Sequence, residues 1–525
     1  MSSQLIDNST IIGKDVIESL TTGMYEDCRF IYREYIQNSA DQIDKAHESG
    51  LLSKEEGEIF INIDPKSKSI EFYDNATGIE QDRVLPILRN IAMSTKEKGK
   101  DKGFRGIGRL GGLGYCDKLI FITSAKGEDV KSIMVWDALQ LKRVINNRGK
   151  KESASEVIDM VTSYSTEKED ANKHYFKVVL EGVNNRDLLN EDHIKSYLCM
   201  VAPVGYPAGF IFRTEIKRKA DELNVRLDEY KILLNGAPLH KSYTTTIYSD
   251  KNGQKQKVDE IIDIQFFHKE ASDGQPLYWG WYSVSTFKEN IKKCNEARGI
   301  RVRKANIQIG DDYTLKDLHK EGRGNHYFFG EIHAVHPDLL PNSRRDNFSE
   351  NDIFWEYKES LKSLFHTELH KLYYDASKIR NAQKDIDAFT QCEEKIKIKT
   401  EETGFTNKAD IEKSQRELEE KRQKAEAAKN TIRSFKEKNT DDSPVGKILR
   451  RVVPADVDSN KNKEKQDVPL PANIIEAGYR TDKYSWLDKS QRKLLSKVFE
   501  VIENVLAEEM ANNLIAKIDE SLKKK

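Results

Sequence analysis

Cysteine is scarce in this chain, and no two cysteines stand close. The five, Cys28, Cys116, Cys199, Cys294 and Cys392, are scattered over 525 residues. That spacing offers neither a disulfide frame nor a zinc knuckle, so reduced thiols are expected. An excess of charge is also missing: 86 Lys and Arg against 87 Asp and Glu leave a net of −1. Such balance argues against dense phosphate contact over the whole surface, while leaving room for a local basic patch. No apolar run approaches the roughly 20 residues that a membrane helix needs. The first residues, Met1-Ser-Ser-Gln-Leu-Ile-Asp7, lack the charged-then-apolar order of a secretion signal. A cytoplasmic location without a membrane partner is the expectation, and the length allows two or three cores.

What the chain does have is concentrated near its start. Tyr32 to Lys45 reads as a helix that carries Glu34, Asn38 and Asp41 at spacings i, i+4 and i+7, all on one face. Ile31, Tyr35, Ile36 and Ile43 occupy other parts of the circumference. A carboxylate, a carboxamide and a second carboxylate in one row suit a site for a magnesium ion, a water and a polyphosphate. Magnesium takes oxygen ligands and keeps several waters. Glu34 could polarise an attacking water, and the Asn38 oxygen could be the protein's ligand to the metal. A solvated polar face is the plainer reading of this helix alone.

Two later segments weigh against that plainer reading. Ile59, Ile61 and Ile63, then Ile70 and Phe72, alternate as in a hairpin, which ends in Asp74 before a turn with Gly78. A carboxylate at a strand end can accept from an adenine amino group, and a glycine turn lets the backbone approach the flat base. Ser94-Thr95-Lys96 is followed by Gly99, Gly103, Gly106, Gly108, Gly111, Gly112 and Gly114, with Lys98, Lys100, Lys102, Arg105 and Arg109 between them. Glycines at this density let backbone N–H groups converge on phosphate oxygens, and a mobile lid is implied. The segment runs straight into the apolar strand Lys118-Leu-Ile-Phe-Ile-Thr123, which a free linker would not do.

Together these three segments resemble the ATP-binding domain shared by gyrase, the ninety-kilodalton heat-shock chaperone, sensor histidine kinases and MutL. The chaperone branch and the MORC ATPases are the nearest in pattern. The chaperone helix pattern Glu-x-Ile-x-Asn-x-x-Asp-x-x-Asp-Lys matches Glu34, Ile36, Asn38, Asp41, Asp44 and Lys45. The resemblance implies a Bergerat-type α/β sandwich binding ATP and Mg2+. Glu34 would be the general base, Asn38 the magnesium ligand and Asp74 the adenine reader. Asp41, Gly78, Thr95, Lys96, Gly106, Gly108, Arg109, Gly111, Gly112 and Gly114 would complete the nucleotide site. The pattern departs at Ala76, where the family has glycine, and at His174-Tyr175, where it has Gly-Thr before the last strand. Both Gly103-Phe-Arg-Gly106-Ile-Gly108 and Gly108-Arg-Leu-Gly111-Gly-Leu-Gly114 are possible registers of the lid.

The expected class is α+β. An ATP domain over 1–205 precedes an α/β transducer over 206–350, with strands at Tyr230–Gly236, Ile261–Phe267, Leu277–Tyr282 and Gly299–Gly310. The segment from Gly330 to Phe348 resembles the chaperone's strand, Asp-Leu-Pro turn and Ser-Arg loop. By that likeness Arg344 reaches the γ-phosphate, as a bidentate guanidinium can; Arg345 and Lys304 compete for the part. Leu361 to Phe389 repeats apolar residues at three and four, and Ile411, Leu418, Ala425 and Ile432 recur every seven. A coiled-coil hairpin over 351–436, a linker over 437–475 and an amphipathic helix over 476–525 are expected. The last helix carries a wide stripe from Leu494 to Ile518 that requires a cover, either this chain or a second protomer; a homodimer is favoured.

The expected function is a Mg-dependent, ATP-hydrolysing clamp whose closure joins a dimer. Its client is open: a protein, as for the chaperones, or nucleic acid, as for MORC and MutL proteins in repair or defence. A histidine kinase is disfavoured because no histidine sits in a helical hairpin ahead of the ATP segments.

Overall fold

The computed structural model describes residues 12–21, 27–53, 55–91, 108–147, 149–454 and 478–523. Thr95, Lys96 and Gly106 lie outside these residues. The chain divides into two compact units, 1–371 and 372–525.

The first unit opens with α1 (Asp15–Thr21) and α2 (Phe30–Glu48), followed by β1 (Glu58–Asp64) and β2 (Ser69–Asp74). Ile59, Ile61, Ile63, Ile70 and Phe72 are all buried on the face that β1 and β2 share. Each such side chain contributes about 1.5–3 kcal/mol through burial. Helix α2 packs on these two strands. Tyr32 and Tyr35 set their rings 5.2 and 4.8 Å from Phe72. After α3 (Gln81–Leu88) come β3 (Lys118–Ser124), β4 (Val130–Asp137), α4 (Ala138–Asn146), α5 (Ala154–Val161), β5 (Thr162–Lys168) and β6 (Tyr175–Glu181). Helices α6 (Glu191–Val201) and α7 (Arg213–Glu222) lead to β7 (Lys231–Leu234) and β8 (Ala237–Pro238).

These strands form an eight-stranded sheet in the order β5-β4-β3-β6-β2-β1-β7-β8. Its pairs are antiparallel except β1 with β7. Strand β7, expected in the transducer, therefore completes the N-terminal sheet instead. Its apolar run Lys-Ile-Leu-Leu carries no mark of which sheet it will join, because parallel pairing is set by the crossover and not by local pattern.

The rest of the unit holds a two-stranded hairpin, β9 (Thr246–Lys251) with β10 (Gln254–Glu260). A five-stranded sheet follows, β11 (Asp263–Glu270), β12 (Pro276–Val284), β13 (Gly299–Lys304), β14 (Ile307–Ile309) and β15 (Phe329–Ala334), in the order β11-β12-β15-β13-β14. Strand β12 is buried from Leu277 to Val284, as a central strand must be. Helix α8 (Asp352–Leu364) closes the unit; the Asn351 side chain caps it by accepting from the Phe354 N–H at 2.8 Å.

The second unit is helical. Helix α9 (His370–Ile398) supplies most of its residues to it, followed by α10 (Lys408–Lys438) and α11 (Pro444–Val452). Asn407 caps α10, and Phe389, Cys392 and Ile396 pack with Phe405, Ile411 and Leu418 around the turn. The C-terminal stripe is carried by two helices, α12 (Lys489–Val505) and α13 (Glu508–Lys523), where one was expected. They fold on each other around Tyr484, Phe499 and Ile515. This splits the stripe: its inner half is covered in cis, while Leu494, Val498, Val501 and Val505 stay exposed. Among the described residues no helix is long and apolar enough to cross a membrane.

Candidate active site

Helix α2 is buried around most of its girth, polar residues included. Arg33, Glu34, Gln37, Ser39 and Asp41 are all buried, and Asn38 is half-buried beside them. Burying such groups costs about 1–3 kcal/mol each unless they are hydrogen-bonded, and more for charges. Here the compensation is incomplete. Both polar atoms of the Gln37 amide and the Nε of Arg33 have no protein partner.

Asp74 ends β2, where the sheet register sets it opposite Ile59 on one side and Phe176 on the other. Its carboxyl accepts from the Ser39 hydroxyl at 2.7 Å and from the Ala76 N–H at 3.2 Å. Burial pushes its pKa up to about 7. The turn beyond is tightly held. The Thr77 hydroxyl donates to Gln42 Oε1 at 3.0 Å, and the Ile79 N–H donates to the Thr123 hydroxyl at 2.8 Å. That hydroxyl in turn donates to the Tyr175 carbonyl at 2.9 Å. Gly78 has φ +67°, and a Cβ there would fall 1.9 Å from the Ser124 carbonyl oxygen. Only glycine fits. The two departures in sequence meet here: Ala76 is fully buried, and the His174 ring lies 2.8 Å from its carbonyl.

The segment Gly108–Gly114 is a 3-10 turn laid against α2. A Cβ on Gly108 would stand 2.2 Å from Glu34 Oε2, so the backbone can lie on the carboxylate only because this residue is glycine. Gly111 and Gly112 are buried under Phe30 and Tyr35, and Gly114 is half-buried. The Tyr35 hydroxyl donates to the Arg109 carbonyl at 2.9 Å. The Arg109 guanidinium bonds the Asn90 carbonyl, and burial lowers its pKa to about 10.

From the far end of the unit comes the loop between Pro341 and Phe348, closed by an antiparallel bridge. The N–H of Arg345 donates to the Asn342 carbonyl at 3.2 Å, and its own carbonyl accepts from Gly310 at 2.9 Å. With φ +57°, Arg345 takes the left-handed region. Its Nε stands 2.9 Å from Glu34 Oε1, with both side chains nearly buried. The adjacent carbonyl, of Arg344, accepts from Arg33 Nη2 at 3.2 Å. Lys304, the third candidate cation, bonds the Val335 and His336 carbonyls at 3.2 and 2.6 Å. Burial lowers its pKa to about 8.

The structure thus brings Glu34, Gly108 and Arg345 together, with Asn38 and Asp41 further along the same helix and Asp74 joined to α2 through Ser39. Sequence reasoning passed over Ser39, Gln37 and Thr123. Ser39 stands between two residues of the matched helix pattern, and a short hydroxyl there was the available signal. The oxygen donors of Asn38, Asp41 and Glu34 suit magnesium, which is held through few protein ligands plus substrate phosphates. An acidic base, an amide and a guanidinium at one place suit water attack on a phosphoryl group.

Residues 29–168 match the family described as Histidine kinase-, DNA gyrase B-, and HSP90-like ATPase. Over these residues the chain is similar to that ATPase superfamily. Its chaperone branch is where the wider similarity falls: over 304 residues the chain is 24% identical to the chaperone protein HtpG of Wigglesworthia glossinidia brevipalpis. That similarity takes in 53% of this chain and 42% of that protein, so the chain spans well under half of its relative's length.

Proposed function

We propose that this chain is a magnesium-dependent ATPase that turns nucleotide state into a conformational clamp of the chaperone type. The observation that carries the reading is the buried polar face of α2, where Gln37 and Arg33 keep unpartnered atoms and a guanidinium from 311 residues away lies on the Glu34 carboxylate. Asp74 would accept from the adenine amino group, with Gly78 and Ala76 keeping the base close. Asn38, with Asp41, would hold the ion, which neutralises phosphate charge. Water attacks the γ-phosphorus, the bond to the bridging β-γ oxygen breaks, and Glu34 takes the water proton. ADP and hydrogen phosphate leave.

Arg345 pairs with Glu34. The guanidinium occupies one oxygen of the carboxylate, and the γ-phosphate would draw it across as Glu34 takes up the water. Arg344, one residue earlier on the same loop, would add charge. The exposed edge of α12 would join two protomers, and the tether would raise the effective concentration of the two ATP domains to about millimolar.

The test is a pair of variants in the full chain, with hydrolysis and nucleotide binding measured separately. Glu34→Ala should bind ATP and fail to hydrolyse it, and Asp74→Asn should fail to bind. Hydrolysis by Glu34→Ala at the parent rate would remove Glu34 from the mechanism.

A further inference from the structure

A second feature lies beside Glu34, on the opposite side of Arg345. A cleft of about 790 Å³ opens between the start of α2, the end of α6, the segments 293–301 and 308–314, and the 344–346 loop. Four arginines of α2, the chain before it and the five-stranded sheet line it, and they differ in what holds them. Arg29 pairs with Asp27 at 2.8 Å, and Arg298 with Asp312 at 2.6 Å. Arg33 and Arg301 pair with no carboxylate among the described residues. Each gives one Nη2 donor to a carbonyl, that of Arg344 at 3.2 Å and that of Glu296 at 2.6 Å, and keeps an Nε with no partner. They are 8% and 7% exposed, and both line the cleft. Gln308, 3% exposed on the same wall, has an unpartnered Oε1.

Two desolvated guanidiniums that no carboxylate meets directly are costly, because buried charge needs a counter-charge within hydrogen-bond reach. The partner that suits them is small. Asp27, Glu296, Asp311, Asp312 and Asp346 also line the cleft, so a nucleic-acid backbone would meet carboxylates along its length. A single tetrahedral oxyanion can sit on the two arginines and avoid them. Hydrogen phosphate fits best: it accepts from both guanidiniums in a fork, and its one O–H can donate to Gln308.

We propose that this cleft is a binding site for inorganic phosphate, distinct from the nucleotide position, which receives the phosphate cleaved beside Glu34. Arg345 touches Glu34 and also lines the cleft, so the base and the cleft share one guanidinium. The source of the phosphate rests on the ATPase reading; the site itself does not.

The experiment titrates inorganic phosphate into the full chain saturated with magnesium and a non-hydrolysable ATP analogue, so that the γ-position is filled. Phosphate-31 NMR or calorimetry reads the binding. Binding should persist under saturation and weaken about tenfold or more in Arg301→Gln and in Arg33→Gln, each of which removes a charge-assisted contact. Hydrogen exchange on the unaltered protein is the second measurement, free of any folding defect in a variant: phosphate should slow exchange in 293–301 and 308–314. Absence of phosphate binding, loss of it when the analogue is added, or protection confined to other segments each overturns the site. If phosphate binds here while ATP is never hydrolysed, the site stands and the ATPase reading falls. If ATP is hydrolysed and phosphate does not bind, only the site falls.

Discussion

Two buried polar clusters lie in the first unit, and they differ in completeness. At the heart of the five-stranded sheet, Glu331 is fully buried and has every oxygen in use. It pairs with Arg303 at 2.5 Å and Lys241 at 2.8 Å, accepts from the Tyr206 hydroxyl at 2.5 Å and meets the His333 ring at 3.1 Å. Arg303 donates further to the Asn306 and Met200 carbonyls, and Lys241 to Asn306 Oδ1. Burial opposes the Glu331 charge, but Arg303 and then Lys241 hold its pKa well below the ordinary value. Burial, then the Arg303 charge, lowers Lys241 to about 7. With two cations on one carboxylate, Lys241 is the one whose charge burial and Arg303 disfavour. The row on α2 is the reverse case: Gln37 and Arg33 keep unpartnered atoms, and Asp74 is forced toward its protonated form. A satisfied cluster fixes a fold; an unsatisfied one waits for a ligand.

The largest expected effect breaks the comparison at its two carboxylates. Glu331→Gln leaves Lys241 and Arg303 buried without their anion and should cost about 3–5 kcal/mol of stability, read by denaturant unfolding. Glu34→Ala should leave stability within about 1 kcal/mol of the parent yet slow hydrolysis roughly 10²–10⁴-fold. If the two variants lose similar stability, the distinction between the clusters is lost.

Next in size is the arginine loop. Arg345→Ala should slow hydrolysis about 10²-fold or more while ATP affinity stays within a few fold, because a guanidinium at a phosphoryl group acts mainly on transition-state charge. Arg344→Ala, whose carbonyl meets Arg33, should have the smaller effect of the two. Steady-state rates of both, measured side by side, decide it, and the reverse order would return the role to Arg344.

A pH profile sharpens the contrast further. Asp74 keeps its proton up to about pH 7 in the folded protein, whereas in the unfolded chain it loses it near pH 4. Its contribution to stability is therefore present below about pH 4 and lost as pH rises to about 7. Nucleotide needs the carboxylate form, so ATP affinity should fall about tenfold per pH unit below about 7 and level off above it. A flat affinity between pH 5.5 and 7.5 would show that the adenine does not bind through Asp74.

The smallest effect concerns apolar groups that are left as unfinished as the α2 row. Val501 and Val505 on α12 are 60% and 73% exposed. Replacing both with lysine should change stability by under about 1 kcal/mol, yet lower the mass seen in light scattering if they join protomers. An unchanged mass would assign that edge to solvent.

Much of this protein was legible before its structure. Period 3.6 marked α2, period 2 marked β1 and β2, short apolar runs marked the strands near 118, 263, 277 and 299, and the family resemblance marked the one near 330. Local patterns report how a segment meets a core, so they carry secondary structure and the candidate residues Glu34, Asn38, Asp41 and Asp74. Sequence alone also separated an α+β body from a helical end. Tertiary structure decided the rest. It placed β7 in the N-terminal sheet and broke the C-terminal stripe at Leu506-Ala507, where the chain turns back. It set Arg345 on Glu34, from a loop in which this left-handed residue accepts from Gly310. It also put Arg33 and Arg301 in one cleft. Residues far apart in sequence share no periodicity, and their meeting depends on side-chain direction and strand pairing that only the folded chain fixes.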